Sequence, residues 1–242
     1  MTFVSSAGAR IPHGRFTPVP TPVLLMHFDG NYTDAIGITT FTASGSSFTA
    51  GTSGFGQKLA SSGGPQVYGV STQELSIGTR QFTIEGRSTF GSGQTGGIVL
   101  SKCYWETATI AAGWFTHDFS INVTPTLLEV QWDGMGAFDA TAALSTTTDV
   151  EFHWAISDDG ANMRFYKDGV LIQTRTSAAL ASVTPPVVVG SGLTVGGFIT
   201  GFAGDLPSWT TMNGKLDELV MWLDYAKYTG ATYTVPTAPY AF

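Results

Sequence analysis

Residues 150–176 read VEFHWAISDDGANMRFYKDGVLIQTRT, and this stretch decides the fold. Apolar side chains alternate with polar ones through Phe152, Trp154 and Ile156 and again through Met163 and Phe165. The runs are too short for helices. Between and after them stand Asp159-Gly160 and Asp168-Gly169, pairs that supply the positive φ a tight hairpin requires. Two such turns joining three runs make an antiparallel meander. A sheet with one apolar face must cover it with another, so the meander predicts a two-sheet sandwich.

Outward from the meander the same texture continues. Further strands are expected at 23–28, 82–90, 97–102, 113–123, 126–132, 186–189 and 214–222, each bounded by turn residues. The spacing leaves no room for βαβ units. The best helical candidate, 140–144, amounts to a single turn at most. Trp132, Trp154 and Trp222 alternate inside strands and are read as core. With 242 residues the chain suits one large all-β domain. Hydrophobic residues make up 43% and charged residues only 12%, so Gly, Ser, Thr and Asn must cover the surface.

A net charge of −7, with 11 Lys and Arg in no basic run, argues against nucleic acid as a partner. The single cysteine, Cys103, excludes an intramolecular disulfide framework and is expected to be a buried free thiol. The first residues lack a charged segment followed by an apolar one, and no run of about 18 apolar residues occurs. Neither a secretory signal nor a membrane span is expected, and synthesis in the cytoplasm follows.

Residues 1–20 differ from the rest, because Gly8, Pro12, Gly14, Pro18 and Pro20 break both helix and sheet ladders. They are expected to form an irregular arm for attachment or oligomerisation. Phe3, Ile11 and Phe16 would be its apolar anchors, and Arg10 and Arg15 its charges for an acidic neighbour, which another copy of the chain could supply. The domain proper is then 21–242.

Several segments resemble the laminin-G-like, concanavalin A-like jelly roll in the version common in bacteriophage virion proteins. Leu24 to Asn31 resembles the first strand and turn of that family, Gly54 to Leu59 its "fGgkaL" segment and Phe82-Thr83-Ile84-Glu85 its "FTIE" strand. Phe152 to Ala155 with Arg164 to Val170 resembles the "WHHVA…lyvDG" meander. Gly214 to Leu219, then Ala226 to Gly230 and Pro236 to Pro239, resembles the ending "yiDElRi…aRYtgnFtpPtaPf". Gly86 departs from the pattern, standing where the family usually has a bulky aromatic. The resemblance implies a two-sheet antiparallel jelly-roll sandwich and carries little about activity.

Catalytic chemistry is sparse. Glucanases of this architecture carry Glu-x-Asp-x-x-Glu on one strand, and no such triplet occurs. Glu129-x-Gln131-x-Asp133 is nearest, but on a strand its carboxylates lie about 13 Å apart, beyond the roughly 5 to 9.5 Å of catalytic pairs. These residues are read as a solvated strand face. His13, His27, His117 and His153 are scattered without metal-ligand spacing and are read as structural. Asp217-Glu218 is the pair that could hold calcium, against a reading in which one carboxylate turns inward and fixes the last strand while the other meets solvent. No other cofactor is expected. Tyr104, Trp105, Trp114 and Trp209 are the aromatics that could stack on a sugar.

The expectation is therefore a non-enzymatic structural component of a phage virion: a head decoration, fibre or tail-associated protein. Its partners would be other virion proteins, copies of itself and possibly host-surface glycans. The alternative is a carbohydrate-binding module or adhesin, and a glycoside hydrolase ranks below both.

Overall fold

The computed structural model describes residues 20–43, 47–50, 57–62, 67–71, 75–104, 116–132, 140–177, 192–197 and 212–241. Among them the secondary structure is β throughout, in two antiparallel sheets.

The first sheet is built on the meander. Strands β11 (Phe152–Asp158), β12 (Asn162–Lys167) and β13 (Val170–Thr176) follow one another, and β11 pairs on its other side with β6 (Phe82–Thr89). Strand β15 (Asn213–Leu223) lies beside β6, and its far edge holds β4 (Gln57–Ser62) and β1 (Leu24–Met26), with β3 (Ser47–Ala50) outside β4. The second sheet runs β10 (Ala140–Ala143), β9 (Leu127–Trp132), β8 (Thr116–Val123), β7 (Gly97–Tyr104), β14 (Gly192–Val195), β5 (Val67–Ser71), β2 (Thr39–Ala43).

Between the sheets sits one continuous apolar core. Ile84, Trp154, Ile156, Phe165 and Met221 come from the first sheet, and Leu100, Phe119, Ile121, Val130 and Leu193 from the second. The indole of Trp154 donates to Ser88 Oγ at 3.0 Å, which satisfies its polar edge inside the core. A Cβ on Gly86 would stand 2.8 Å from the Trp154 ring, so Trp154 fills the space an aromatic at position 86 would need.

Three sequence expectations are corrected. Residues 140–143 form a strand, because each is paired across the sheet with a residue of β9. Trp222 is buried but lies outside the main core, in a cluster with Leu25 and Val220 on the opposite face of the sheet. Glu129 and Gln131 are buried rather than solvated. The expected strand at 186–189, the arm 1–19 and the Cys103 side chain lie outside the described residues.

Asp34 organises the turn after β1. Its carboxylate accepts the amides of Leu25, Ile36, Ile38 and Thr39 at 3.0 to 3.2 Å, so a buried charge is met by four donors.

Candidate functional site

Strand neighbours point to opposite faces, so each sheet has an outer face away from the core. The two outer faces differ in chemistry.

On the first sheet the outer face is closed by the chain's own C-terminal segment, residues 225–241. Thr83, Glu85 and Arg87 of β6 point to it, and Glu85 is fully buried. Its Oε1 accepts from Lys227 Nζ at 2.6 Å and from the Tyr240 hydroxyl. Its Oε2 accepts from the Tyr228 hydroxyl at 2.6 Å and lies 3.3 Å from His153 Nε2. With Nε2–H directed at Glu85, His153 Nδ1 can accept the Tyr233 hydroxyl at 2.8 Å. Burial pushes the Glu85 carboxyl up, but hydrogen bonding and charge from His153 and Lys227 outweigh it and hold the group down at about 2. Burial, followed by the charge of Glu85, raises all three tyrosines at 228, 233 and 240 above the ordinary phenol range.

Lys227 Nζ also lies 4.1 Å over the Trp222 ring and 4.4 Å over Tyr240. Tyr228 stacks on Tyr233 with centroids 3.6 Å apart. Every polar atom named here has a partner within the protein, and no room is left for a reactant. This face is a clasp for the C-terminal segment.

Asp217 and Glu218 belong to the same construction. The β15–β6 register shifts between Asp217 and Val220, and Glu218 takes φ +48°, so the pair does not alternate across the sheet. Both are buried, which corrects the expectation that one would meet solvent. Glu218 Oε1 pairs with His27 Nδ1 at 2.7 Å, and Oε2 accepts the Tyr240 amide at 3.3 Å. Burial raises the Glu218 carboxyl, partly offset by His27. Among the described residues no group of three or more His, Cys, Asp or Glu is arranged to hold a metal ion.

On the second sheet the outer face is polar and open in its hydrogen bonding. Phe119, Ile121, Leu128, Val130, Leu193 and Val195 point to the core, which leaves Ser120, Asn122, Glu129, Gln131 and Thr194 on the other side. Register places Thr194 opposite Ser101, Ser101 opposite Ser120 and Ser120 opposite Gln131, one row across four strands. At one inter-strand spacing per step the row spans about 14 Å. Asn122, Glu129 and Thr141 form a second group beside it. Glu129 accepts from Asn122 Nδ2 at 2.6 Å and from Thr141 Oγ1 at 3.3 Å. Ser101 donates to the Gly197 carbonyl.

Although they point away from the core, Ser120 and Thr194 are 0% and 1% exposed. Ser120 Oγ, Thr194 Oγ1 and Asn122 Oδ1 have no hydrogen-bond partner among the described residues. A buried polar atom without a partner costs about 1 to 3 kcal/mol, so three on one face need an explanation.

The sequence-expected sugar-stacking residues cannot be set against this face. Trp105, Trp114 and Trp209 lie outside the described residues, as does the side chain of Tyr104, which ends β7. The anchors Phe3, Arg10, Ile11, Arg15 and Phe16 lie outside them too. The polar row itself was missed, although the alternation Phe119-Ser120-Ile121-Asn122-Val123 carried the signal.

No family model matches the chain, and no curated protein matches it by sequence. Solved structures of similar fold include domain 4 of AbnA, a GH43 extracellular arabinanase from Geobacillus stearothermophilus, in complex with arabinotriose. It is 15% identical with a TM-score of 0.52, over 84% of this chain and 92% of that one. The botulinum neurotoxin serotype D binding domain is 8% identical with a TM-score of 0.52, over 83% of this chain and 48% of that one. A receptor binding domain is 16% identical with a TM-score of 0.52, over 83% and 47%. At these identities the likeness carries the fold, a β-sandwich, and not the activity.

Proposed function

We propose that the chain is a non-enzymatic carbohydrate-binding domain whose ligand lies on the outer face of the second sheet. One observation carries this reading: a row of buried hydroxyl and amide groups faces away from the core, with Ser120 Oγ, Thr194 Oγ1 and Asn122 Oδ1 left without partners. Short neutral groups that both donate and accept complement sugar hydroxyls. The likeness to an arabinanase domain described in complex with arabinotriose agrees with it at the level of fold.

Ser120→Ala and Thr194→Val remove one hydroxyl each without enlarging the side chain. Each is expected to weaken glycan binding about 3- to 10-fold by titration calorimetry, with the unfolding midpoint unchanged or raised, since no hydrogen bond inside the protein is lost. A midpoint that falls while binding stays intact would make the row structural.

The virion role is a second reading, carried by the resemblance of residues 214–239. None of the three structures above is described as a virion protein. Mass spectrometry of purified particles tests it: the chain should be present in stoichiometric amount.

A further inference from the structure

The charges of the chain are segregated between the two faces. Of the 11 Lys and Arg, six (Lys58, Arg87, Arg164, Lys167, Arg175 and Lys215) lie on strands of the first sheet, and Lys227 lies in the segment covering it. Arg80 is bound to Asp224, and Arg10 and Arg15 belong to the first 19 residues. Lys102 is the one cation on a strand of the second sheet. It points to the other side of that sheet from Ser101, is 2% exposed and donates to Ser76 Oγ at 2.6 Å. Arg175 reaches the rim of the face, where it donates to the backbone carbonyl of Thr141 at 3.2 Å.

Apart from the one holding Arg80, no sequence segment joined to a strand of the second sheet contains a Lys or Arg. Those segments carry Glu106, Asp133, Asp139 and Asp205 instead. The face itself carries Glu129, buried and hydrogen-bonded to neutral partners.

We infer that the ligand class of this face is an uncharged oligosaccharide, and that the face rejects glycans bearing carboxylate, sulfate or phosphate. The inference rests on the carbohydrate-binding reading above and adds its selectivity. A carboxylate on the ligand would be buried beside Glu129 with no cation to receive it, and like charges brought together at an interface cost several kcal/mol. Neutral hydroxyls meet no such penalty. The row of about 14 Å is also longer than a single sugar ring, which favours a chain over a monosaccharide.

The full-length protein should be titrated with neutral arabinan, xylan and β-glucan, and separately with polygalacturonate, alginate and a sialylated oligosaccharide. Binding is expected to at least one neutral probe and to none of the acidic ones. Because no charge is exchanged, the neutral affinity should change less than about two-fold between 0.05 and 0.5 M NaCl. Ser120→Ala should weaken the same binding, which ties it to this face. Acidic probes bound as tightly as neutral ones overturn the selectivity and leave the carbohydrate reading standing. Failure to bind any of the six overturns both.

Discussion

Glu85 shows what a single residue does in this protein. Replacing it with alanine strands Lys227 in an aromatic surrounding and takes the acceptor from the Tyr228 and Tyr240 hydroxyls. Breaking a buried pair in this way costs about 3 to 5 kcal/mol, and denaturant unfolding of Glu85→Ala should show a loss of that size. The same carboxylate sets an acid limit. Its folded-state value of about 2 lies below the ordinary 4.5, so the charged form is favoured by folding. Its contribution is present above about pH 4.5 and drains as pH falls toward 2. The stability gap between the native chain and Glu85→Gln should therefore close across that window, and a gap independent of pH would contradict the assignment. Asp34 is the second such residue. Asp34→Ala leaves four backbone amides without their acceptor, and a loss of about 3 kcal/mol or more is expected in the same measurement.

Among elements, the β12–β13 hairpin carries the sharpest constraint. Asp168 and Gly169 take φ of +48° and +77°, the pairing a two-residue hairpin of this hand demands. Gly169 is also packed against the C-terminal segment. A Cβ there would stand 2.4 Å from the Tyr233 carbonyl oxygen, while the Gly169 carbonyl accepts the Tyr233 amide. Gly160, in the preceding turn, has φ +84° but its nearest neighbour for a Cβ is 4.0 Å away. Gly160→Ala should thus cost about 1 kcal/mol for conformation alone, and Gly169→Ala should cost more, because the C-terminal segment must also shift. Equal losses in thermal unfolding would show that this segment does not press on the hairpin.

On the scale of the molecule, the first sheet is enclosed on both faces. Strands β6 and β11 are buried almost without interruption, because the core covers one side and residues 225–241 the other. Truncation after Asp224 removes Lys227, Tyr228, Tyr233 and Tyr240 together and uncovers Trp222, Val220, Ala155 and Tyr166. The unfolding midpoint should fall by more than about 10 °C, since each kcal/mol moves a domain of this size by about 2 to 4 °C. The second sheet has no clasp of this kind among the described residues. Its outer row keeps unsatisfied polar atoms, which is why binding is proposed there and not at the better-connected cluster around Glu85.

The sequence by itself determined the sandwich and its central meander. Strands β12 and β13 fall where the alternation and the two Asp-Gly turns put them, because strand period and turn conformation are local properties of a few residues. Strands β2 to β5 escaped that reading: they are short and rich in Ser, Thr, Gly and Ala, and pairing with distant partners holds them in place. Strand β10 escaped it for a similar reason, since a run of alanines signals helix until β9 lies beside it. Only the tertiary structure decided which polar residues share a face. Thr194, Ser101, Ser120 and Gln131 are separated by as many as 93 positions and meet only through strand register. Glu85 likewise meets Lys227, Tyr228 and Tyr240 only because the chain's end folds back over β6. Local sequence fixes which way a side chain points from its own strand, whereas what it meets there depends on strands brought together from across the chain.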